Sequence, residues 1–576
     1  MLGMGRSAAL EPSRRGRVIY VNGASADTQK CNGIMTFAGG GSANPLTILI
    51  DANAHFQTDA VAVGDKIESS AALSTIASVD SETQVTLDEA IMDDAIAGGS
   101  TNGAEAFKLI DSLATFESLG VEPGYIVVCV TDMTYATVVA LDPVTPETKL
   151  TLSANNFTLG EGYNIYQPLD YTIYYKRTGA SWSMSYLTVQ NALEAVTSSI
   201  KEIWVAGATG AGQTYLPTAL TTRTIYHVAL AGVNVYGGFA GTEILRSQRN
   251  PDLNLTILSG NVGGTEGTNG SYHVVSTNEA ALASPSVWDG FTIRGGVCNG
   301  SSTLSRGGGV SNRGGLILSN CKITACKGHG SYNGSQPSAI YGEGGTGLYN
   351  VAVTACTLGS ETVYVTGALS QDGLTVSGCT CVNSAGSRIV KLATGPFVAR
   401  NLVLSGNTPA SSGNAYMLGF PTATNGTIIN AVITDNVGGG IFAVGTGAGL
   451  VNLDHFTVTR NALVGTGGGI RQANAGDTSV VLNVTNSIIY GNTATVADNN
   501  MSYANALNLL ATYSDCQGGF AGTGNIDTDP LFVAATDAIG PDLLWNTADD
   551  GLIPTAATCL ASGSDGDNMG NYRRAL

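Results

Sequence analysis

Lys322-Ile323-Thr324-Ala325-Cys326, Val351-Ala352-Val353-Thr354-Ala355-Cys356, Leu374-Thr375-Val376-Ser377-Gly378-Cys379, Leu402-Val403-Leu404-Ser405-Gly406-Asn407, Ala431-Val432-Ile433-Thr434-Asp435-Asn436, Phe456-Thr457-Val458-Thr459-Arg460-Asn461 and Ser487-Ile488-Ile489-Tyr490-Gly491-Asn492 are variants of one template. Each is a short strand in which inward apolar residues alternate, and each closes on Cys or Asn. Successive closing positions lie 30, 23, 28, 29, 25 and 31 residues apart, the spacing of one turn of a parallel β-helix whose loops vary in length. An isolated coil cannot bury its apolar face, so such coils are stable only as a stack. The spacing predicts one unbroken right-handed solenoid over residues 200–515. Asparagine at a turn tolerates left-handed backbone and can hydrogen-bond its neighbour on the adjacent coil, which accounts for Asn407, Asn436, Asn461 and Asn492. Cys326, Cys356 and Cys379 occupy the same column as small apolar residues. The clusters Gly307-Gly308-Gly309, Gly438-Gly439-Gly440 and Gly467-Gly468-Gly469 precede strands and fit bends where coils approach closely.

Upstream of the repeats, the segment from Leu187 to Val196 sets Val189, Ala192, Leu193 and Val196 at helical spacing. A helix at that point caps the open first coil and covers its unpaired strand edges. Farther upstream the chain is duplicated. Leu49-Ile50-Asp51, Phe56, Gly64-Asp65-Lys66-Ile67 and Thr83-Gln84-Val85-Thr86-Leu87 match Leu109-Ile110-Asp111, Phe116, Gly124-Tyr125-Ile126-Val127 and Thr148-Lys149-Leu150-Thr151-Leu152, at offsets that grow from 60 to 65 as loops lengthen. The expected organisation is an arm or linker over 1–44, small β modules over 45–98 and 107–168, the β-helix with its capping helix over 169–515, and a C-terminal segment over 516–576. The fold class is all-β: a right-handed parallel β-helix preceded by two duplicated small β-barrel-like modules.

Composition agrees and excludes several functions. With 76 glycines but only 16 prolines in 576 residues, the chain is neither collagen-like nor Pro-rich and disordered, and an apolar content of 43% excludes general disorder. Charged residues make up 12%, and the net charge of −18 opposes nucleic-acid binding over most of the surface. No run of 18 apolar residues is present to cross a membrane as a helix. The first residues hold no apolar stretch followed by a cleavage site, so no secretory signal is expected in the sequence as written. The ten cysteines lack paired CxxC spacing, and neither a zinc site nor a disulfide scaffold is expected from them.

Two resemblances bear on function. Ser181-Trp182, Gln190-Asn191-Ala192-Leu193, Glu202-Ile203-Trp204-Val205-Ala206-Gly207, Tyr215-Leu216-Pro217, Val235-Tyr236-Gly237-Gly238-Phe239-Ala240-Gly241-Thr242-Glu243, Arg249-Asn250-Pro251, Thr256-Ile257-Leu258-Ser259-Gly260 and Asp289-Gly290-Phe291-Thr292-Ile293-Arg294-Gly295-Gly296 resemble the right-handed parallel β-helix family of bacterial surface proteins, pectate-lyase-like in fold. The stretches Gly524-Asn525-Ile526-Asp527-Thr528-Asp529-Pro530-Leu531-Phe532-Val533 and Asn568-Met569-Gly570-Asn571-Tyr572 resemble the terminal segment of that family. The duplicated modules, with Gly120-Val121-Glu122-Pro123-Gly124-Tyr125 and Gly160-Glu161-Gly162-Tyr163-Asn164-Ile165-Tyr166, resemble small β domains of tailed-bacteriophage virion proteins.

Chemistry is harder to find. Polygalacturonase-like β-helices use paired aspartates, a Gly-His-Gly and a later basic tripeptide. Gly328-His329-Gly330 is present here, but no Asp pair precedes it and Ser387-Arg388-Ile389-Val390-Lys391 does not match the basic element. No catalytic residue is assigned; any activity would be that of a polysaccharide lyase or hydrolase. Asp542, Asp549 and Asp550 cluster oxygen ligands on a short turn and are candidate Ca²⁺ ligands, although the spacing is not that of an EF-hand. Asp565-Gly566-Asp567 reads as a solvated turn. The expectation is a structural virion protein of a tailed phage, a fibre, spike or decoration in capsid or tail. Its N-terminal modules would dock to other virion proteins, while the β-helix protrudes, oligomerises and meets host-surface polysaccharide. The alternatives are a cell-surface or extracellular adhesin and a polysaccharide depolymerase.

Overall fold

The computed structural model describes residues 18–21, 29–34 and 37–38 and most of 48–571; the longer breaks within that last span are 89–96, 130–134, 175–180, 218–222, 263–268, 329–336, 382–387, 409–414 and 474–479. The chain forms two compact units, one of residues 25–178 and one of 1–24 with 179–576.

The larger unit is a parallel β-solenoid. Among the described residues, one sheet of 17 strands and one of ten run its length, and all their pairings are parallel between successive coils. Strands buried on one side by the coil interior and held on both edges by neighbours must alternate, and they do: Leu374, Val376, Leu402, Leu404, Ile433 and Val458 belong to a single apolar core that runs through the stack. The strand Val18–Val21, inside the stretch read as an arm, pairs with Glu202–Ala206 and opens the large sheet. The helix Val189–Glu194 turns Val189, Ala192 and Leu193 into the same core, and the Thr188 hydroxyl caps it by accepting from the Asn191 N–H at 3.1 Å.

Two columns of left-handed residues make the corners. The first is Asn320, Asn350, Gly373, Asn401, Asn430, His455, Asn486 and Tyr513, which bends the large sheet once per coil. The second is Ala325, Ala355, Gly378, Gly406, Asp435, Arg460 and Gly491. Sequence reasoning gave the left-handed conformation to the closing Asn; the structure puts it one residue earlier, which frees the Asn side chain to turn inward. There Asn407 Nδ2 donates to Asn436 Oδ1 (3.1 Å), Asn436 to Asn461 (2.8 Å) and Asn461 to Asn492 (2.9 Å), a buried ladder between coils. Cys326, Cys356 and Cys379 extend that column, fully buried and unpaired, as expected. Gly440 meets the carbonyl of Gly469 so closely that a Cβ would stand 2.5 Å from it, the close approach read from the glycine clusters.

The motif that carries the β-helix resemblance is structural. Trp204 stacks on Phe239 with centroids 4.7 Å apart, Gly238 admits Pro251 where a Cβ would stand 2.6 Å from its Cα, and Arg249 bonds the Gly237 carbonyl and the Asp289 carboxylate. In the first coil His227 is fully buried, and neither of its ring nitrogens has a hydrogen-bond partner among the described residues.

The smaller unit contains the duplication. The strands Ile48–Ile50, Lys66–Ser69, Leu73–Val79 and Gln84–Leu87 pair in the same antiparallel order as Lys108–Ile110, Ile126–Cys129, Tyr135–Leu141 and Lys149–Leu152, with a register shift at Ile76/Ser78 in one and Val138/Ala140 in the other. Leu49 and Phe56 fill one core and Leu109 and Phe116 the other, all fully buried.

Candidate functional site

On the ten-stranded sheet, strand pairing aligns Tyr341 with Tyr364, Tyr364 with Lys391, Lys391 with Gly419, Gly419 with Phe442 and Phe442 with Arg471. Their neighbours Ile340, Val363, Val390, Leu418, Ile441 and Ile470 are buried in the coil interior, so strand alternation points the file away from that interior at ~4.8 Å per coil. Tyr341 (3% exposed) and Phe442 (8%) are nonetheless covered, and Tyr364, Lys391 and Arg471 are partly exposed.

The file is built from aromatic rings and cations. The rings of Tyr341 and Tyr364 lie 5.7 Å apart; Lys391 Nζ sits 4.8 Å from the Tyr364 ring and 3.1 Å from the Glu361 carboxylate. Gly419 has no side chain, and Arg388 occupies that space, which carries its guanidinium to 4.9 Å from the Phe442 ring. Arg471 reaches the same ring at 5.7 Å, and Tyr416 stacks on it at 4.5 Å with planes 13° apart. At the other end Arg306 donates to the Tyr341 hydroxyl (3.1 Å), which donates to Glu343 (2.6 Å), itself paired with Arg313 at 2.5 Å. Burial and the Glu343 contact push the Tyr341 phenol up to about 12, so it remains a donor. Burial pulls the Arg388 pKa down while Glu361 opposes it.

Arg306, Arg313, Arg388, Lys391 and Arg471 thus face Glu343 and Glu361, a local excess of positive charge on a chain of net charge −18. The partly exposed guanidinium groups can bind carboxylate or sulfate groups bidentately, and Tyr364, also partly exposed, can stack against a sugar ring. Glycoside hydrolysis needs a pair of carboxyl groups, one acting as proton donor. The two carboxylates of the file are each paired with a cation, Glu343 with Arg313 and Glu361 with Lys391.

Sequence reasoning set Arg388 and Lys391 aside because their tract matched no known basic element, and it missed the rest of the file. His329 and Gly330 lie outside the described residues. Asp542, Asp549 and Asp550 share a turn, where they accept bonds from that turn's own groups: Leu544 N–H to Asp542 (2.8 Å), Asp542 N–H to Asp549 (3.1 Å) and Asn546 N–H to Asp550 (2.8 Å). Among the described residues the three metal-ligating groups that converge within 4.8 Å are those of His455, Asp565 and Asp567, the latter two read in the sequence as solvated.

No family model matches the chain, and no curated protein matches it. Among solved structures, the catalytic domain of GH87 alpha-1,3-glucanase in complex with nigerose is similar at 9% identity and a TM-score of 0.25, covering 83% of this chain and 89% of that one. A substituted form of that domain, also with nigerose, gives 8% identity and a TM-score of 0.26 at the same coverage. Likeness at that level carries no weight for activity. The β-helix assignment rests on strand register, and nothing in the comparisons links the chain to phage virions.

Proposed function

We propose that this protein is a polysaccharide-binding β-helix that holds an acidic glycan along the outer face of its ten-stranded sheet without cleaving it. The observation that carries this reading is the set of partly exposed cations along the ten-stranded sheet, Arg306, Arg313, Arg388, Lys391 and Arg471, with the Tyr364 ring among them. A polymer with a repeating negative charge matches such a set. Of the roles considered from sequence, surface adhesion fits this reading most directly. The duplicated unit is left as an attachment module for a larger assembly, virion or cell surface.

Affinity electrophoresis through gels containing an acidic polysaccharide (polygalacturonate), its neutral methyl ester or no glycan tests it. Retardation by the acidic polymer alone, weakening as salt screens the charges, and no release of reducing ends over a day are expected. Equal migration in all three gels, or steady release of reducing ends, would count against the proposal.

A further inference from the structure

The first corner column is an asparagine ladder interrupted at Gly373, His455 and Tyr513. Asn350 Nδ2 donates to Asn320 Oδ1 (2.9 Å) and Asn430 Nδ2 to Asn401 Oδ1 (2.7 Å), each coil bonding the coil before it. The next member is His455, and Asn430 Oδ1, buried, is left without a hydrogen bond among the described residues. Asparagine is also the better occupant of left-handed backbone, which His455 adopts at φ 55°. The histidine therefore costs the ladder a bond and takes a less favoured conformation.

Its ring makes another arrangement instead. Nδ1 lies 3.3 Å from Asp454 Oδ1 and donates to it, which fixes the tautomer with the free lone pair on Nε2. His455 is 7% exposed and Nε2 has no hydrogen-bond partner among the described residues; it faces Asp565 Oδ2 at 3.6 Å, too far for a hydrogen bond. Two ligands on a tetrahedral ion with bonds of ~2.1 Å stand roughly 3.4 Å apart. The Asp567 carboxylate completes a triad whose ligand atoms all lie within 4.8 Å of one another. The two aspartates are presented by a turn closed by Gly563 N–H to Asp567 carbonyl (2.9 Å) and Gly566 N–H to Gly563 carbonyl (3.0 Å). That turn is fastened to the next ladder member, with the Ser564 N–H on Asn486 Oδ1 (2.7 Å) and the Gly570 N–H on the Asn486 carbonyl (2.8 Å).

We propose that His455 Nε2, Asp565 and Asp567 bind one Zn²⁺ ion that staples the C-terminal segment onto the β-helix, with Asp454 orienting the imidazole. An imidazole with two carboxylates suits zinc, whereas Ca²⁺ takes oxygen ligands only. Water completes the tetrahedron.

The test uses the full chain, stripped with chelator and dialysed, titrated with Zn²⁺ and with Ca²⁺ in a calorimeter and then digested with a nonspecific protease. The expected result is one saturable Zn²⁺ site, no Ca²⁺ response, and slower cleavage after residue 560 with zinc. His455→Asn should restore the ladder bond to Asn430, so it should fold at least as stably as the metal-free protein while losing zinc affinity by more than about tenfold, along with the protection. Asp565→Asn, an exposed change, should lose zinc in the same way and is the control if His455→Asn misfolds. Absence of saturable zinc binding in the parent protein, or binding and protection unchanged in either variant, would overturn the site.

Discussion

At the scale of single residues, the buried polar groups decide what can change. Asn461 donates to Asn492 and to the Ile433 carbonyl (2.8 Å) and accepts from Asn436. Asn461→Ala leaves several buried groups unpaired and is expected to lower stability by about 2–4 kcal/mol in urea unfolding, at ~1–3 kcal/mol for each stranded group. His227 makes the opposite point, because among the described residues its ring has no hydrogen-bond partner to lose. Burial depresses its pKa from 6.5 to about 4, so the unfolded chain takes up a proton in a range where the folded chain does not. Its contribution is full above pH 6.5 and is lost as pH falls from there to about 4, a difference of roughly 3 kcal/mol. Asp515 acts in the other sense: burial raises its pKa from 3.8 to about 6, and it costs stability as pH rises through that window. Unfolding of the parent and of His227→Leu at pH 7.5 and 4.5 isolates the histidine; the variant should lose less stability on acidification. A parallel loss in both would show that the ring is solvated.

At the scale of elements, the sequence was legible wherever one coil repeats the pattern of the last. The strand tracts ending at Cys326 through Asn492 and the helix at 189–194 could be read because each announces itself within six to ten residues. The outward file could not. Its members, from Tyr341 to Arg471, stand on strands whose spacing is set by loops of unequal length, and only the parallel register brings them into line. His455 and Asp565 are likewise brought together by the return of the chain's end along a corner column. The calcium reading at Asp542, Asp549 and Asp550 came from the local density of oxygen ligands, and in the structure each of these carboxylates also accepts from an N–H of the same turn. Register also makes the core unforgiving. Val458 is fully buried between Ile433 and Ile489 on adjoining coils. Val458→Asp should cost about 3 kcal/mol or more, because a carboxylate there has neither water nor a cation; an unchanged melting temperature would contradict the inward assignment.

At the scale of the whole molecule, the chain enters the β-helix at Val18–Val21, leaves it to build the duplicated unit, and returns at Glu202–Ala206. The apolar cores of the duplicated unit are separate from that of the β-helix. Replacing residues 25–178 by a short linker should therefore leave a soluble, β-rich β-helix by circular dichroism, whereas also deleting residues 1–24 exposes the edge of Glu202–Ala206 and should promote aggregation. The central claim, that the outer file of the β-helix is a binding surface for an acidic glycan, is tested most directly by calorimetric titration of the parent and of Arg306→Gln/Arg471→Gln with an oligogalacturonate. The two substitutions remove cations from opposite ends of the file and leave the Lys391–Glu361 and Arg313–Glu343 pairs in place. At ~1.5–3 kcal/mol for each charge-assisted contact, affinity should fall at least about tenfold in a variant that circular dichroism shows to be folded, since each arginine also bonds a tyrosine hydroxyl of the sheet. Equal affinity in the two proteins, or no binding by either, would contradict the account.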